Sequence, residues 1–285
     1  MTIKFPLLLS LLLGLAGLPC AFGQVSFPNP SPQQTIRQDF GLSGIELVYS
    51  RPGVKGRRML GNVEPYDSVW RMGANAATKI SFRSPVVIRG NRIDSGTYVF
   101  YAIPRPKTWT IIVNKGLKNW GSDQYQASDD VCRFDVDRQP SGRFTETLTF
   151  QFENVNAERC ELVMTWEDWL IRIPIEAPLR EELRRQIEAN LKSDKPVYWY
   201  AAQFYYEYDR DLPKALDAIN QAIVTGEQRG LKPYWYYHYK ARILKDLNRK
   251  AEAIEAANVS TRLAREHGNR NNYLKLNEEL IRSMK

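Results

Sequence analysis

From Ser26 to about Ala177 apolar and polar residues alternate with a period of two, in short runs broken by Gly, Pro, Asn and Asp. Alternation of this kind turns one face of each strand to a core and leaves the other polar, which predicts an antiparallel β-sandwich, jelly-roll-like. The runs predict strands at 45–50, 78–83, 86–89, 96–103, 109–114, 131–136, 145–152, 160–165 and 170–175. Pro104 and Pro106 cannot continue a ladder, so "PRPK" reads as a tight connection between neighbouring strands. After "EAPLR" the period becomes helical. In "DLPKALDAINQAI" Ala215, Leu216, Ile219, Ala222 and Ile223 share one face, and Asp211 stands where an N-cap belongs. Further helices are expected at 179–192, 197–208, 234–246, 250–267 and 272–284, so the chain reads as β + α in two domains, 24–177 and 178–285.

The helical half carries an internal repeat. "YWYAAQFYYEYDRDLPKALDAINQAI" and "YYHYKARILKDLNRKAEAIEAANVS" each run from an aromatic helix through a short polar turn to Ala-rich helix. The first copy resembles a tetratricopeptide repeat, with Trp199, Tyr206, Ala215, Ile219 and Ala222 at the motif's aromatic, small and bulky positions. The second copy keeps Ala241, Ala253 and Ala257 but departs at Lys240 and Leu244. Small residues at these positions let helices approach closely, which predicts a tetratricopeptide-like hairpin array. Most of its aromatic side chains should fill inter-helix space. Trp199, Tyr206, Trp235 and Tyr239 are the candidates for a groove that takes a protein partner.

The first residues change the picture of where this occurs. Lys4, an apolar run from Phe5 to Leu18 and the small-residue site Ala21-Phe22-Gly23 have the layout of a secretory signal peptide over 1–23. The run is shorter than the roughly 20 residues of a spanning helix, so no transmembrane segment is expected once it is removed. The expected location is periplasmic or secreted. There Cys132 and Cys160, both on apolar strand faces, are compatible with one bridge across the core or with two buried free thiols. The formal charge of +8 is spread through both halves without a basic stripe, which argues for a solubilising surface and against nucleic acid as partner.

Candidate chemistry is sparse. His238 and His267 are the only histidines and both fall in the helical half, which excludes Ser-His-Asp, Cys-His and histidine-zinc arrangements in the β half. No catalytic residue, metal site or cofactor is expected. "RPGVKGR" lacks the Lys-Ser/Thr ending of a phosphate-cradling loop, and "DDVCRFDVD" lacks the Gly-centred spacing of a calcium loop. What remains is a polar constellation of Arg51, Arg57, Arg71, Asn75, Asn114 and Trp120, with Lys55, Arg58 and Lys115 nearby. Guanidinium forks grip carboxylate, sulfate or hydroxyl groups, and an indole stacks on an apolar ring face. The alternative for Arg71 is a framework charge neutralised by an acid such as Glu167, with Gly73 and Asn75 supplying unusual backbone angles. The expectation is therefore a non-catalytic binding or assembly module for a small anionic or carbohydrate ligand. Two alternatives stand beside it: a carboxylate-based hydrolase of envelope glycans using a pair among Glu64, Asp67, Asp123, Asp129, Asp130, Glu167 and Asp168, and a scaffold without small ligand.

"SRPGVKGR", "VWRMGANAATKISF", "GTYVFYAIP", "WTIIVNK", "NWG", "LTFQF" and "MTWEDWLIRIPI", in that order, resemble the secreted bacterial family known as domain of unknown function 2911, over roughly 32–175. The resemblance implies an exported β-domain and brings no established activity. Similar proteins carry Gly-Ala-Asn-Glu where this chain has Gly-Ala-Asn-Ala, so Ala76 supplies no carboxylate.

Overall fold

A computed structural model describes residues 27–284; the expected signal peptide at 1–23 lies outside the described residues. Ten strands form two antiparallel sheets. The first is six-stranded, in the order β1 (Gln33–Phe40), β2 (Ser43–Ser50), β3 (Lys79–Phe82), β6 (Gly96–Ile103), β7 (Thr108–Asn114) and β8 (Asp130–Asp137). The second is four-stranded, in the order β5 (Asn91–Ile93), β4 (Val86–Ile88), β10 (Arg159–Glu176) and β9 (Gln139–Glu153). The sequence pattern missed β1 because its alternation is carried by Gln, Thr, Arg and Asp, with no run of branched or aromatic residues. It becomes a strand by pairing with β2 along its whole length, from Gln33↔Ser50 to Phe40↔Ser43. The two-residue turn Gly41-Leu42 has Gly41 at φ +61°, the backbone such hairpins favour. Pro104-Arg105-Pro106-Lys107 joins β6 to β7 as the prolines require.

Two expected strands, 160–165 and 170–175, are one. β10 passes through both, with register shifts on either side of Glu167, which takes φ +51°. Bulging breaks the strict alternation, so Trp166 and Trp169 are both buried although they lie three residues apart. Both sheets feed one core in which Trp70 stacks on Trp166 at 5.8 Å, meets Trp109 edge-on at 5.8 Å, and Trp109 leans on Trp169 at 4.8 Å.

Six α-helices follow: α1 (Leu179–Leu191), α2 (Tyr198–Gln203), α3 (Leu212–Gln228), α4 (Tyr234–Asp246), α5 (Lys250–His267) and α6 (Tyr273–Arg282). α2 runs on as a π-helical turn, Phe204–Asp209, and ends at Arg210 with φ +58°. Asp211 caps α3 as its position demands, its carboxylate accepting from the Lys214 amide at 3.1 Å. The apolar face read from the sequence, Ala215, Leu216, Ile219, Ala222 and Ile223, is buried in a second core shared with Ala201, Ala241 and Ala257. Among the described residues no helix is long and apolar enough to cross a membrane. The helices begin where the sheets leave off, at a tight contact: a β-carbon on Gly41 would sit 3.1 Å from that of Ala177 and 3.3 Å from Leu179 Cδ2.

Candidate functional site

The most open polar chemistry gathers around the stretch from Arg57 to Met72. Gly61, at φ +76°, lets the chain double back beneath Tyr66, whose ring would lie 2.4 Å from any β-carbon there. The doubling is closed by Gly61 N–H to the Glu64 carbonyl at 2.9 Å and Glu64 N–H to the Met59 carbonyl at 2.8 Å. From the β10 bulge Glu167 reaches across to accept from the Met59 amide at 3.0 Å, the Leu60 amide at 3.5 Å and the Trp169 indole at 3.2 Å. Trp70 then joins the first sheet by exchanging both backbone hydrogen bonds with Ala102, at 2.7 and 2.9 Å. These restraints leave the Glu64 carboxyl half-buried. Burial pushes its pKa up to about 7, against the lowering pull of Arg71, the Trp70 indole and Arg57. The Trp70 N–H favours the Glu64 anion by proximity, yet it is buried outside hydrogen-bond geometry with any partner among the described residues.

Arg71 is half-buried, and its guanidinium closes no salt bridge among the described residues. It faces the turn after β7. A β-carbon on Gly121 would meet Arg71 Nη1 at 3.1 Å and Asp123 Oδ1 at 2.6 Å, so the glycine keeps open a narrow space that the two charged groups share. The turn itself is firmly built. Fully buried Asn114 donates to the Gln126 carbonyl at 3.0 Å and to Asp130 Oδ1 at 2.8 Å, and accepts from the Gly116 amide at 2.7 Å. Asn119 donates to the Tyr101 hydroxyl at 3.0 Å, and that hydroxyl donates to the Gly121 carbonyl at 3.4 Å. Beside this frame Trp120 is 63 % exposed, with only its backbone amide tied, to Gln124. The Arg71 cation thus lies near the raised carboxyl of Glu64 and the carboxyl of Asp123, with an exposed indole on the residue before Gly121.

Of the residues singled out from sequence, Arg71 and the Trp120 turn come together, and the charge of Arg57 reaches the same carboxyl. The others have framework bonds. Arg51 fastens β9 through the Leu148 carbonyl at 3.0 Å and Thr149 Oγ1 at 2.8 Å. Arg57 closes its own turn on the carbonyls of Val54 and Gly53. Asn75, at φ +57°, donates to the Ser31 carbonyl at 3.0 Å. Glu167 is not the partner of Arg71, because the loop amides and the Trp169 indole claim it. Met72, rather than Gly73, takes the second positive φ, at +53°; Gly73 is needed for space, since a β-carbon would lie 3.0 Å from the Ser50 carbonyl. Other candidate acids are engaged too, Asp67 with Arg105 at 2.8 Å and Asp130 with Arg133 at 2.7 Å.

Cys132 and Cys160 are free thiols, not a bridge, and burial raises them to about 11 and about 12, which leaves them protonated and unreactive. In the helices Tyr206 and Tyr239 are buried, donating to Asp246 at 2.8 Å and Glu207 at 3.0 Å, with Arg242 over both rings. Trp199 stacks on Tyr236 at 4.6 Å and Trp235 leans on Tyr234 at 5.1 Å. An open groove of about 800 Å³ lies instead between the β1–β2 turn and one face each of α1 and α2, lined by Leu42, Leu183, Ile187, Tyr200, Phe204 and Tyr208. Sequence periodicity cannot show this groove, because it depends on how the turn at Gly41 meets α1. Gly121 was equally hidden, though the "NWG" motif pointed to its neighbourhood.

Comparison with curated proteins and with solved structures gives no match. Comparison with family models matches residues 31–175 to a protein family of unknown function, DUF2911. The matched span contains both sheets apart from the last residue of β10, and with them Glu64, Arg71 and the Trp120 turn. The chain therefore belongs to the DUF2911 family of proteins of unknown function.

Proposed function

We propose that this protein is an exported, non-catalytic binding and assembly module that works in the periplasm or outside the cell after loss of the signal peptide at 1–23. In this reading 24–177 is a β-sandwich of jelly-roll type that holds a small anionic or carbohydrate ligand. The region 178–285 is a tetratricopeptide-like array that engages a protein partner. The observation that carries the ligand half is Arg71: a half-buried guanidinium without an ion pair among the described residues, near Asp123 at Gly121, the residue that follows the exposed Trp120. A guanidinium fork suits a carboxylate or sulfate, an aspartate accepts from hydroxyls, and an indole covers an apolar ring face. The groove beside Tyr200 and Phe204 supports the partner half, since helix faces with apolar anchors accept peptide segments.

Thermal melting with glucuronate tests the ligand half. Glucuronate raises the melting temperature of the wild type and leaves that of Arg71→Ala unmoved; equal shifts, or none in either, refute it. A pull-down from envelope extract with 178–285 deleted tests the partner half, and unchanged recovery of bound proteins refutes that.

The raised carboxyl of Glu64 favours one second reading, a carboxylate-based glycan hydrolase in which Glu64 is the proton donor. Turnover of an envelope glycan by the wild type but not by folded Glu64→Gln would establish it.

A further inference from the structure

A second concavity opens beside the Arg57–Met72 loop; it shares the framing residues Leu60, Tyr66 and Glu167 with that loop, while Arg71, Asp123 and Trp120 do not line it. A cavity of about 380 Å³, walled by Arg58, Tyr66, Phe144 and Asp168, adjoins one of about 260 Å³ against Pro106, Pro140 and Trp169, and Arg138 and Asp168 line both. Its parts are of two kinds. Arg138 is fixed: its guanidinium lies 5.8 Å over the Trp169 ring, donates to the Pro106 carbonyl at 3.4 Å and stands 3.8 Å from Asp168. Glu167 is also engaged, by the loop amides and the Trp169 indole, and so serves as a fastener of the wall. Arg58, by contrast, has no side-chain hydrogen bond or ion pair among the described residues. Asp168 is 80 % exposed with only the long contact to Arg138. Phe144 holds a bare ring at the rim, 62 % exposed, in the first half of β9.

This set discriminates among ligands. Asp168 repels a dense polyanion such as a polyphosphate, whereas cations with a nearby acceptor suit a ligand rich in hydroxyls that carries separate single charges. An aromatic rim gives an apolar platform for a ring face. Two adjoining hollows that share Arg138 and Asp168 suit successive units of a chain better than a single compact molecule. We propose that this cleft binds an acidic oligosaccharide, a chain of sugar rings bearing carboxylates, with Arg58 gripping a carboxylate, Asp168 and Arg138 taking hydroxyls and Phe144 covering a ring face.

Calorimetric titration of Arg71→Ala, in which the first site is silenced, tests this with three probes: trigalacturonate, the neutral maltotriose and inorganic sulfate. Trigalacturonate binds saturably, maltotriose at least ten-fold more weakly, and sulfate gives no saturable heat. Added to Arg71→Ala, Arg58→Ala and Phe144→Ala each weaken trigalacturonate at least ten-fold, with melting temperatures unchanged because both side chains are exposed. Because that background lacks the Arg71 guanidinium, failure of the Arg71 site and failure of this cleft are separable. Absence of saturable binding to trigalacturonate, equal binding of sulfate, or undiminished binding after Phe144→Ala would each overturn the proposal.

Discussion

The sheet region and the helical region treat buried polar groups in opposite ways. In the helices the hydroxyls of Tyr206, Tyr239 and Tyr237 donate to Asp246, Glu207 and Glu227, and among the described residues no buried side-chain nitrogen or oxygen of the helices lacks a partner. His238 Nδ1 meets Asn277 Oδ1 at 2.7 Å, Asn277 donates to Ser260 at 2.9 Å, and Ser260 donates to the Tyr234 carbonyl at 2.8 Å, which ties α6 to α4 and α5. In the sheets the core is built on tryptophan, and the indole N–H groups of Trp70, Trp109 and Trp166 are buried without a partner among the described residues. Above that core Arg71 and Arg58 keep their charges free of ion pairs among the described residues. The helical region uses its polar groups to hold its own shape. The sheet region leaves polar groups unspent, and unspent polar groups on a rigid frame are what a binding site requires.

The comparison breaks most visibly at the tryptophan core. Trp109→Ala removes a fully buried ring that touches two other tryptophans, and should cost the sheet region about 3–5 kcal/mol in urea denaturation. The helical polar relay holds its region together through buried bonds, so Asn277→Ala leaves His238 Nδ1 without its partner, removes the bond Ser260 accepts and costs about 1–3 kcal/mol, read by the same method. A loss below that would mean that the relay is ornamental.

Smaller, and of opposite sign in the two regions, is the response to pH. Glu64 is raised to about 7 by burial, so the fold prefers its protonated form. Its contribution is whole below 4.5, the ordinary value, and is lost as pH rises through about 7. His238 is lowered by burial, although its bond to Asn277 pulls the other way. Its contribution is whole above 6.5 and is lost as pH falls below that. Hydrogen exchange, corrected for intrinsic rates, should show sheet amides losing protection and helical amides gaining it between pH 5 and pH 7.5. Glu64→Gln should flatten the first trend and His238→Gln the second.

Much of the frame was legible because it is written in local patterns. The helices at 234–246 and 250–267 and the strand at 96–103 follow their apolar periods to the residue. β1 was not legible, since only its partner β2 makes a strand of Gln33–Phe40, nor was the continuity of β10 through a bulge at Glu167. The site divides in the same way. "VWRMGAN" and "NWG" marked residues that do meet, Arg71 and the Trp120 turn, because both flank strands of one sheet. Arg51 and Asn114 looked equally available, yet their side chains hold β9 and the turn after β7. Whether a polar side chain is spent depends on carbonyls and carboxylates brought near by folding, which spacing along the chain does not encode.

The central claim, that the sheet region keeps Arg71 unspent, is tested most directly by urea denaturation of Arg71→Ala beside the wild type at pH 7. With no ion pair to break, and with Glu64 able to take a proton when the cation is gone, the variant should lie within about 0.5 kcal/mol of the wild type. A loss of about 3 kcal/mol or more would show a buried paired charge and contradict the account.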